Sequence, residues 1–383
     1  MTGARASWGS IPASIMRGGT SRGVVLPLES VPPEGPERDR FLVTLIGSND
    51  PGQMDGFGGN TSTTSKVMMV GHDSDSDDIP YLFAQVDPRN PVVDYGGNCG
   101  NMTSAVALFA VMEGIVPATA PVSRFTLFNL NTGTRIRAHV PSYPEGPITE
   151  GDYRIAGVGE PGAEIVTEYL DPAGRNGQFP TGGPTETLSV PNVGDVTVSI
   201  VDVSSPLVFL HAGDVGLTGT ELPDHIDADE GLLDRLEAIR AAAAVRLGLV
   251  ERPEAATRRT PGIPKLTIVS SPSDYRTSLG TMVESEEVDI VGRIMSVQRT
   301  HHAYAMTGAL CTAAAAALDG TIPNSVSRDI GSSGFVRIGH PKGVTTVGID
   351  VDPTGTGTRV RSVSVSRTAR CLMRGMIESR IRP

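Results

Sequence analysis

Short apolar runs typical of β-strands recur along the whole chain, bounded by glycine, proline, asparagine or aspartate. The 383 residues include 45 Gly and 29 Pro, so turns follow one another at short intervals. This pattern predicts a strand-rich α/β or α+β fold and argues against a helix bundle. The predicted strands are Val24–Leu26, Tyr81–Val86, Phe125–Leu130, Thr134–Val140, Val196–Val203, Leu207–Leu210, Lys265–Val269, Gly334–Ile338 and Thr345–Val351.

Only a few segments have the spacing and composition of helices. The predicted helices are Arg38–Ile46, Met102–Met112, Glu230–Leu247 and Ala309–Leu318. The length of the chain favours two domains, and the Gly- and Pro-rich segment Asp171–Pro184 is the predicted linker. We therefore expect one domain over residues 1–184 and a second over 185–383, with the last strand a candidate for return to the first domain.

Charge and cysteine content limit the kinds of partner and compartment. The net charge is −11, which argues against nucleic acid or an anionic membrane as a partner and favours a small molecule. Cys99, Cys311 and Cys371 are widely separated and form no CxxC pair or zinc-type cluster. This usage predicts a reducing compartment without a structural metal. No apolar run has the length of a signal sequence or a membrane span, so we expect a cytoplasmic enzyme or binding protein.

Two stretches suggest an internal duplication. Residues 98–110 (NCGNMTSAVALFA) and 306–318 (MTGALCTAAAAAL) both pass from a Gly-containing turn into a helix of small apolar residues. A chance likeness between two alanine-rich helices is the alternative. In a true duplication two helix N-termini would face one cleft, and their unpaired N–H groups would suit carboxylates.

Cys99 lies at the mouth of the first of these helices, between Asn98 and Gly100. Oriented N–H groups there stabilise a thiolate, and the neighbouring glycines permit a ligand to approach closely. The alternative is a small buried apolar residue, the commonest role of a free cysteine. The amides of Asn98 and Asn101 argue against it. Cys311 and Cys371 stand in apolar surroundings and are predicted to pack.

Lys66 follows the polar turn GGNTSTTS (58–65) and opens an apolar run. A lysine at the point where a hydroxyl-rich loop enters a buried strand is partly desolvated, and as a neutral amine it can serve as a general base. A solvated surface charge is the alternative.

The turn from Arg17 to Ser21 offers a guanidinium, unshielded backbone N–H groups and two hydroxyls, which suit a carboxylate or phosphate. It has neither the Walker nor the dinucleotide-binding spacing, and a tight hairpin is the alternative. His301 and His302 are consecutive and have no acidic ligand nearby, which argues against a metal site. His340, in a Gly-His-Pro turn, is either a substrate contact or a turn residue.

In this order the motifs resemble the PrpF family, which includes methylaconitate isomerase, methylitaconate Δ-isomerase and 4-oxalomesaconate tautomerase. The resemblance extends over nearly the whole chain. Its carriers are MRGGTSRG at 16–23, GSNDPGQMDGFGGNTSTTSKV at 47–67, YLFAQV at 81–86, DYGGNCGNM at 94–102, FPTGG at 179–183, PKLTIVS at 264–270 and HHAYAMTGALCTAAAA at 301–316.

The resemblance implies an α+β, diaminopimelate-epimerase-like fold: two pseudo-symmetric domains, each a curled, mostly antiparallel sheet around a central helix, with the active site between them. It also implies an isomerase, without metal or organic cofactor, that moves a C=C bond by one allylic position in a di- or tricarboxylic acid. Substrates of the 2-methylaconitate, 4-oxalomesaconate, methylitaconate and aconitate types stay open.

The lysine and cysteine of the family match Lys66 and Cys99. We expect one of the two to take an allylic proton γ to a carboxylate and the other to protonate the far carbon, or Lys66 to do both. The predicted substrate-binding residues are Arg17, Gly18, Gly19, Thr20, Ser21, Ser65, Asn98, Gly100, Asn101, Met102, Thr307, Gly308 and His340.

One departure separates this chain from the true epimerases of the same fold. Their second cysteine has no equivalent, because the matching turn reads Met306-Thr307-Gly308. This argues against an amino-acid or proline epimerase. A non-catalytic carboxylate-binding protein, the other alternative, would not need Lys66 and Cys99 together. A homodimer or higher homo-oligomer is expected on general grounds.

Overall fold

The strands are joined through shared hydrogen bonds into one 19-stranded sheet, with a separate two-stranded sheet beside it. The computed structural model describes residues 7–50, 52–72, 76–330, 334–354 and 357–381. The strands are β1 (Ser7–Gly18), β2 (Ser21–Pro27), β3 (Lys66–Val70), β4 (Ile79–Val86), β5 (Val93–Asp94), β6 (Val122–Asn129), β7 (Arg135–Tyr143), β8 (Gly146–Pro147), β9 (Ile165–Leu170), β10 (Glu186–Val190), β11 (Gly194–Val203), β12 (Ser205–His211), β13 (Lys265–Ser270), β14 (Tyr275–Arg276), β15 (Met282–Val283), β16 (Ile290–Ser296), β17 (Arg299–Thr300), β18 (Phe335–His340), β19 (Gly343–Thr354), β20 (Gly357–Arg367) and β21 (Ala369–Ile381).

The helices are few, as the sequence predicts. They are α1 (Pro36–Ile46), α2 (Gly100–Met112), α3 (Pro223–Asp227), α4 (Glu230–Arg246), α5 (Pro253–Arg259), α6 (Met306–Ala317) and α7 (Ile322–Val326). Among the residues described, no helix is both long and apolar enough to span a membrane.

The same order of strand pairings occurs twice along the chain. β1 and β2 form a hairpin, β3 runs parallel to β2 and antiparallel to β4, and β4 runs parallel to β6. In the second half β11 and β12 form the hairpin, β13 runs parallel to β12 and antiparallel to β16, and β16 runs parallel to β18. The repetition gives the two halves matching frameworks.

Each half encloses one central helix. The residues of α2 from Gly100 to Val111 are all buried, as are those of α6 from Met306 to Ala316. α2 packs against β1, β2 and β7, and α6 packs against β11, β12 and β19. Because sheet surrounds them, these helices are apolar on all sides.

Two pairings link distant parts of the chain. β21 pairs antiparallel with β1 along its whole length, from Ser7 to Gly18, and β20 pairs with both β19 and β9. The segment Asp171–Pro184 contains no helix and only an isolated bridge, from Ala173 to Val203. A division into domains at residues 184 and 185 stays a prediction.

Every predicted strand and helix overlaps an element of the structure. The elements that were not predicted are the strands β1, β5, β8, β9, β10, β14, β15, β16, β17, β20 and β21 and the short helices α3, α5 and α7. The three cysteines are free.

Candidate active site

A cavity lies between the two halves, where the N-terminal ends of α2 and α6 meet. Its polar lining residues are Ser21, Lys66, Gln85, Asp94, Asn98, Cys99, Asn101, Lys265, Ser296, His301 and Thr307. The helices approach closely at Gly100, where a Cβ would lie 3.0 Å from Cγ of Met306 and 3.0 Å from the hydroxyl oxygen of Tyr169. Glycine therefore permits the two helix starts to share one cavity.

Both helices begin without a side-chain cap. Neither Cys99 nor Ala305, the residues before α2 and α6, accepts a hydrogen bond from its helix through a side chain. Asn98 instead accepts the backbone N–H of Cys99 on Oδ1, at 2.7 Å. The first N–H groups of both helices have no partner within their helices, so the cavity carries partial positive charge that suits an anion.

Lys66 is the first residue of β3, and its side chain is held in a fixed direction. It is 8% exposed. Its Nζ donates a hydrogen bond of 2.5 Å to Oε1 of Gln85 and lies 5.3 Å from the ring centroid of Phe83. Nε2 of Gln85 donates to the carbonyl oxygens of Ser65, at 2.9 Å, and Val86, at 3.1 Å. These bonds turn the amide oxygen toward Lys66.

The backbone beneath Lys66 is closely packed. Gly23 of β2 is its register partner, and a Cβ on Gly23 would lie 2.5 Å from the carbonyl oxygen of Lys66. No larger residue fits there without moving β2 away from β3.

Cys99 reaches the same cavity from the start of α2. It is 8% exposed, and its Sγ lies 4.0 Å from Oγ of Ser21. The other thiols lie elsewhere. Cys311 is fully buried with Sγ 3.4 Å from the carbonyl oxygen of Val201, and burial raises the pKa of its thiol. Cys371 is half-buried and donates to the carbonyl oxygen of Met373.

Lys265 lines the cavity from the second half and is missed by the sequence analysis. It is the first residue of β13, the position that Lys66 has in β3. Its Nζ donates to the carbonyl oxygen of Gly262 at 3.1 Å, and the N–H of Gly262 donates to Oδ2 of Asp94 at 2.9 Å. Burial, followed by the charge of Lys66, lowers the pKa of Lys265 to about 8. The repeated pattern of a turn, a lysine and an apolar strand, KVMMV and KLTIV, is the signal that points to it.

His301 is a neutral part of the lining. Its Nδ1 accepts the backbone N–H of Ala303 at 3.1 Å. Burial, followed by the charge of Lys66, lowers its pKa to about 3. Within the described ranges, no three or more His, Cys, Asp or Glu side chains are placed to hold a metal ion.

The predicted binding residues divide into three groups. Ser21, Asn98, Asn101 and Thr307 line the cavity. Thr20 and His340 line a neighbouring polar cavity that also contains Arg367.

Asn101 connects the two cavities. Its Nδ2 donates to Oγ1 of Thr20 at 3.1 Å, and its Oδ1 accepts from Nε of Arg367 at 3.2 Å. Burial lowers the pKa of Arg367 to about 10, so this guanidinium remains charged. Arg367 lies far along the chain from the motifs and is not among the predicted site residues.

The third group lines neither cavity. Its members are Arg17, Gly18, Gly19, Ser65, Gly100, Met102 and Gly308. Arg17 holds its own turn, because Nη1 donates to the carbonyl oxygens of Thr368, at 2.8 Å, and Gly19, at 3.2 Å. A binding role for these residues stays a prediction.

Comparison of sequences identifies similar proteins along almost the whole chain. The family model described as PrpF protein matches residues 9–380. The 2-methyl-aconitate isomerase of Shewanella oneidensis is 40% identical over 386 residues, covering 96% of each chain. The 3-methylitaconate isomerase of Eubacterium barkeri is 40% identical over 371 residues, again with 96% of each chain covered.

Comparison of structures gives the same picture. The crystal structure of methylitaconate-delta-isomerase superposes with a TM-score of 0.79 and 38% identity, covering 97% of this chain and 96% of that one. A hydroxyproline epimerase from Agrobacterium vitis, at 10% identity and a TM-score of 0.54, covers 96% of this chain and 92% of its own. The second likeness concerns the fold alone. The α+β, diaminopimelate-epimerase-like fold expected from the sequence is confirmed.

Proposed function

The chain belongs to the PrpF protein family, and from this premise we propose that it is an isomerase that moves a C=C bond by one allylic position in an unsaturated di- or tricarboxylic acid. The observation that carries the proposal is the presence of Lys66 and Cys99 in one cavity with two uncapped helix N-termini. Lys66 and Cys99 supply groups that transfer protons, and the helix N-termini supply hydrogen-bond donors for carboxylates.

The proposed reaction is a 1,3-proton transfer. Lys66, as a neutral amine, removes the allylic proton γ to a carboxylate, and the electron pair of the broken C–H bond spreads over the C=C bond into that carboxylate as a dienolate. Cys99 then protonates the other end of the three-carbon unit, so one C–H bond breaks and one forms. The proton on Lys66 returns to Cys99 before the next turnover, and no redox change occurs.

The carboxylates need donors that do not move during the reaction. The backbone N–H groups at the starts of α2 and α6 and the side chains of Ser21, Asn101 and Thr307 are in position to supply them. Such preorganised donors stabilise the charge that develops on the dienolate oxygens.

Two features favour this reaction over epimerisation of an amino acid. Among the residues described, the cavity is lined by one cysteine, since Ala305, Met306 and Thr307 stand at the start of α6 where a second thiol would be. The other cysteine of α6, Cys311, is buried in the core. A lysine held by Gln85 and a thiol in the same cavity favour catalysis over binding alone.

We expect the substrate to be of the 2-methylaconitate, 4-oxalomesaconate, methylitaconate or aconitate type. We also expect the enzyme to act in the cytoplasm, without a cofactor, as a homodimer or higher homo-oligomer. Light scattering after size-exclusion chromatography would test the oligomeric state.

The test of the function is proton NMR in D₂O with cis-aconitate, 2-methylaconitate, methylitaconate and 4-oxalomesaconate, each added to the wild type and to Lys66→Met and Cys99→Ser. One acid should take up deuterium at an allylic carbon while its alkene signal shifts, and Lys66→Met should bind that acid without converting it. The matched control is Lys342→Met, a lysine outside the cavity, which should behave as the wild type. Conversion by Lys66→Met at the wild-type rate would refute the mechanism, and no exchange with any of the acids would refute the proposed substrate class.

A further inference from the structure

The cavity needs a positively charged side chain to balance the carboxylates of a bound substrate. Its basic lining side chains, among the residues described, are Lys66, Lys265 and His301. The proposed reaction uses Lys66 for proton transfer, and His301 is neutral because its pKa lies at about 3. A di- or tricarboxylate brings at least two negative charges into this space. Lys265 is the side chain of the lining that is left to balance them.

We propose that Lys265 binds a substrate carboxylate as an ammonium ion, opposite Lys66, and that the negative charge of the dienolate develops toward it. The inference rests on the proposed function and names a residue that is not among the predicted site residues. It assigns one lysine to proton removal and the other to charge stabilisation.

The position of Lys265 suits this role. As the first residue of β13, it enters the cavity from the half of the molecule opposite Lys66. Within the described part of the chain its Nζ makes one hydrogen bond, to the carbonyl oxygen of Gly262 at 3.1 Å. An ammonium has three donors, so two remain for a ligand.

The backbone that holds Lys265 is tied across the cavity. The N–H of Gly262 donates to Oδ2 of Asp94, which lies in the first half, at 2.9 Å. Asp94 also accepts the N–H of Gly96 at 2.7 Å. The carboxylate is thus occupied by backbone donors, and the structure shows no ion pair between Asp94 and Lys265 within the described ranges. The charge of Asp94 still acts on Lys265 and favours its ammonium form, while the donors of Nζ stay free of that carboxylate.

The choice of lysine is unusual for this chain. Only three of its 32 Lys and Arg residues are lysine, at positions 66, 265 and 342. Two of the three line this one cavity. Arginine is larger and stays charged at every accessible pH, whereas lysine is a compact charge whose pKa responds to burial and neighbours. Lysine is therefore placed where a compact charge that responds to its surroundings is useful.

A measurable consequence follows from proton linkage. In the empty site, burial and the charge of Lys66 lower the pKa of Lys265 to about 8. A bound carboxylate stabilises the ammonium and raises that pKa again. At about pH 8.5, binding should therefore take up about three quarters of a proton per site.

The experiment is isothermal titration calorimetry at about pH 8.5 in buffers of different ionisation enthalpy. The probes are tricarballylate, the saturated analogue of aconitate, and methylsuccinate, which contain no C=C bond. The wild type should take up protons on binding. Lys265→Met should bind about 10- to 100-fold more weakly, as expected for loss of a charged hydrogen bond, and should lose this uptake. Lys265→Arg should retain part of the affinity without the uptake, and Lys342→Met should match the wild type.

Three results would overturn the inference. They are wild-type affinity in Lys265→Met, unchanged proton uptake in Lys265→Arg, and no binding of either acid by the wild type. Circular dichroism of each variant separates loss of binding from loss of folding. Because neither probe can isomerise, this outcome is independent of the NMR test of the proposed function.

Discussion

Replacing Lys265 with methionine is expected to stabilise the protein at neutral pH while it removes a side chain from the candidate active site. The pKa of Lys265 falls from 10.5 to about 8 on folding, which corresponds to about 3 kcal/mol against the folded state. The variant loses the hydrogen bond to the carbonyl oxygen of Gly262, worth about 1 kcal/mol. Methionine keeps a flexible apolar stem, so the free energy of unfolding should rise by about 2 kcal/mol.

The gain depends on pH in a defined direction. Below about pH 8, Lys265 is protonated in both the folded and the unfolded state, and the full cost of burying its charge near that of Lys66 is present. Between about pH 8 and 10.5 the folded protein binds fewer protons than the unfolded chain, so the stability of the wild type rises with pH. The advantage of the variant should shrink across this window, and above it only the lost hydrogen bond remains.

Urea denaturation followed by circular dichroism, at intervals between about pH 7 and 10.5, measures this difference. The control is Lys342→Met, which should track the wild type at each pH. A Lys265→Met variant that is less stable than the wild type at neutral pH would refute the reasoning. A difference that stays constant over the whole pH range would also refute it, since the effect would then come from packing and not from a buried charge.

Three further variants or treatments test the description of the site. Gly23→Ala should lower turnover by about 100-fold, because a Cβ placed 2.5 Å from the carbonyl oxygen of Lys66 must shift that residue; the rate of deuterium exchange measures it, and an unchanged rate would contradict it. Gln85→Leu should lower both activity and the thermal midpoint, since it removes the acceptor of Lys66 and leaves buried carbonyl oxygens without their donor; an unchanged midpoint would show that the amide is dispensable. Iodoacetamide should alkylate Cys99 in the native protein and inactivate the protein. It should spare Cys311, whose thiol is buried with a raised pKa. Peptide mass spectrometry identifies the alkylated cysteines, and labelling of native Cys311 would argue against its position in the core.

The sequence predicts the elements whose pattern is local. Runs such as those of β4, β11 and β13 are apolar and bounded by turns, and each is found where expected. β16 was not predicted because Arg293 stands in its middle. In the folded protein this buried cation donates to the carbonyl oxygen of Glu221 and lies over the ring of Tyr275. β21 has Arg370, Arg374 and Arg380 scattered among its apolar residues, without a regular alternation, so its strand character depends on pairing with the distant β1.

Some residues of the candidate site are predictable from local sequence, and others are not. Lys66 and Cys99 are predictable because each stands at a sharp change from a polar turn to an apolar element. Lys265 stands in a similar place, but what distinguishes it is its proximity to Lys66, which arises only when the two halves pack together. Arg367 becomes relevant through its hydrogen bond to Asn101, across 266 residues of sequence. No local pattern can indicate such long-range contacts.

The pairing of β1 with β21 has a consequence for synthesis of the chain. β1 is translated before β21 and pairs with β2 on one side, while the partner of its other side is β21. Throughout elongation the first half therefore presents an open strand edge, which other nascent chains can bind. Lys66 opens β3, which pairs with β2 of that hairpin. The edge of β1 is therefore closed only after β21 has been made, so protection of that edge during synthesis limits association between incomplete chains.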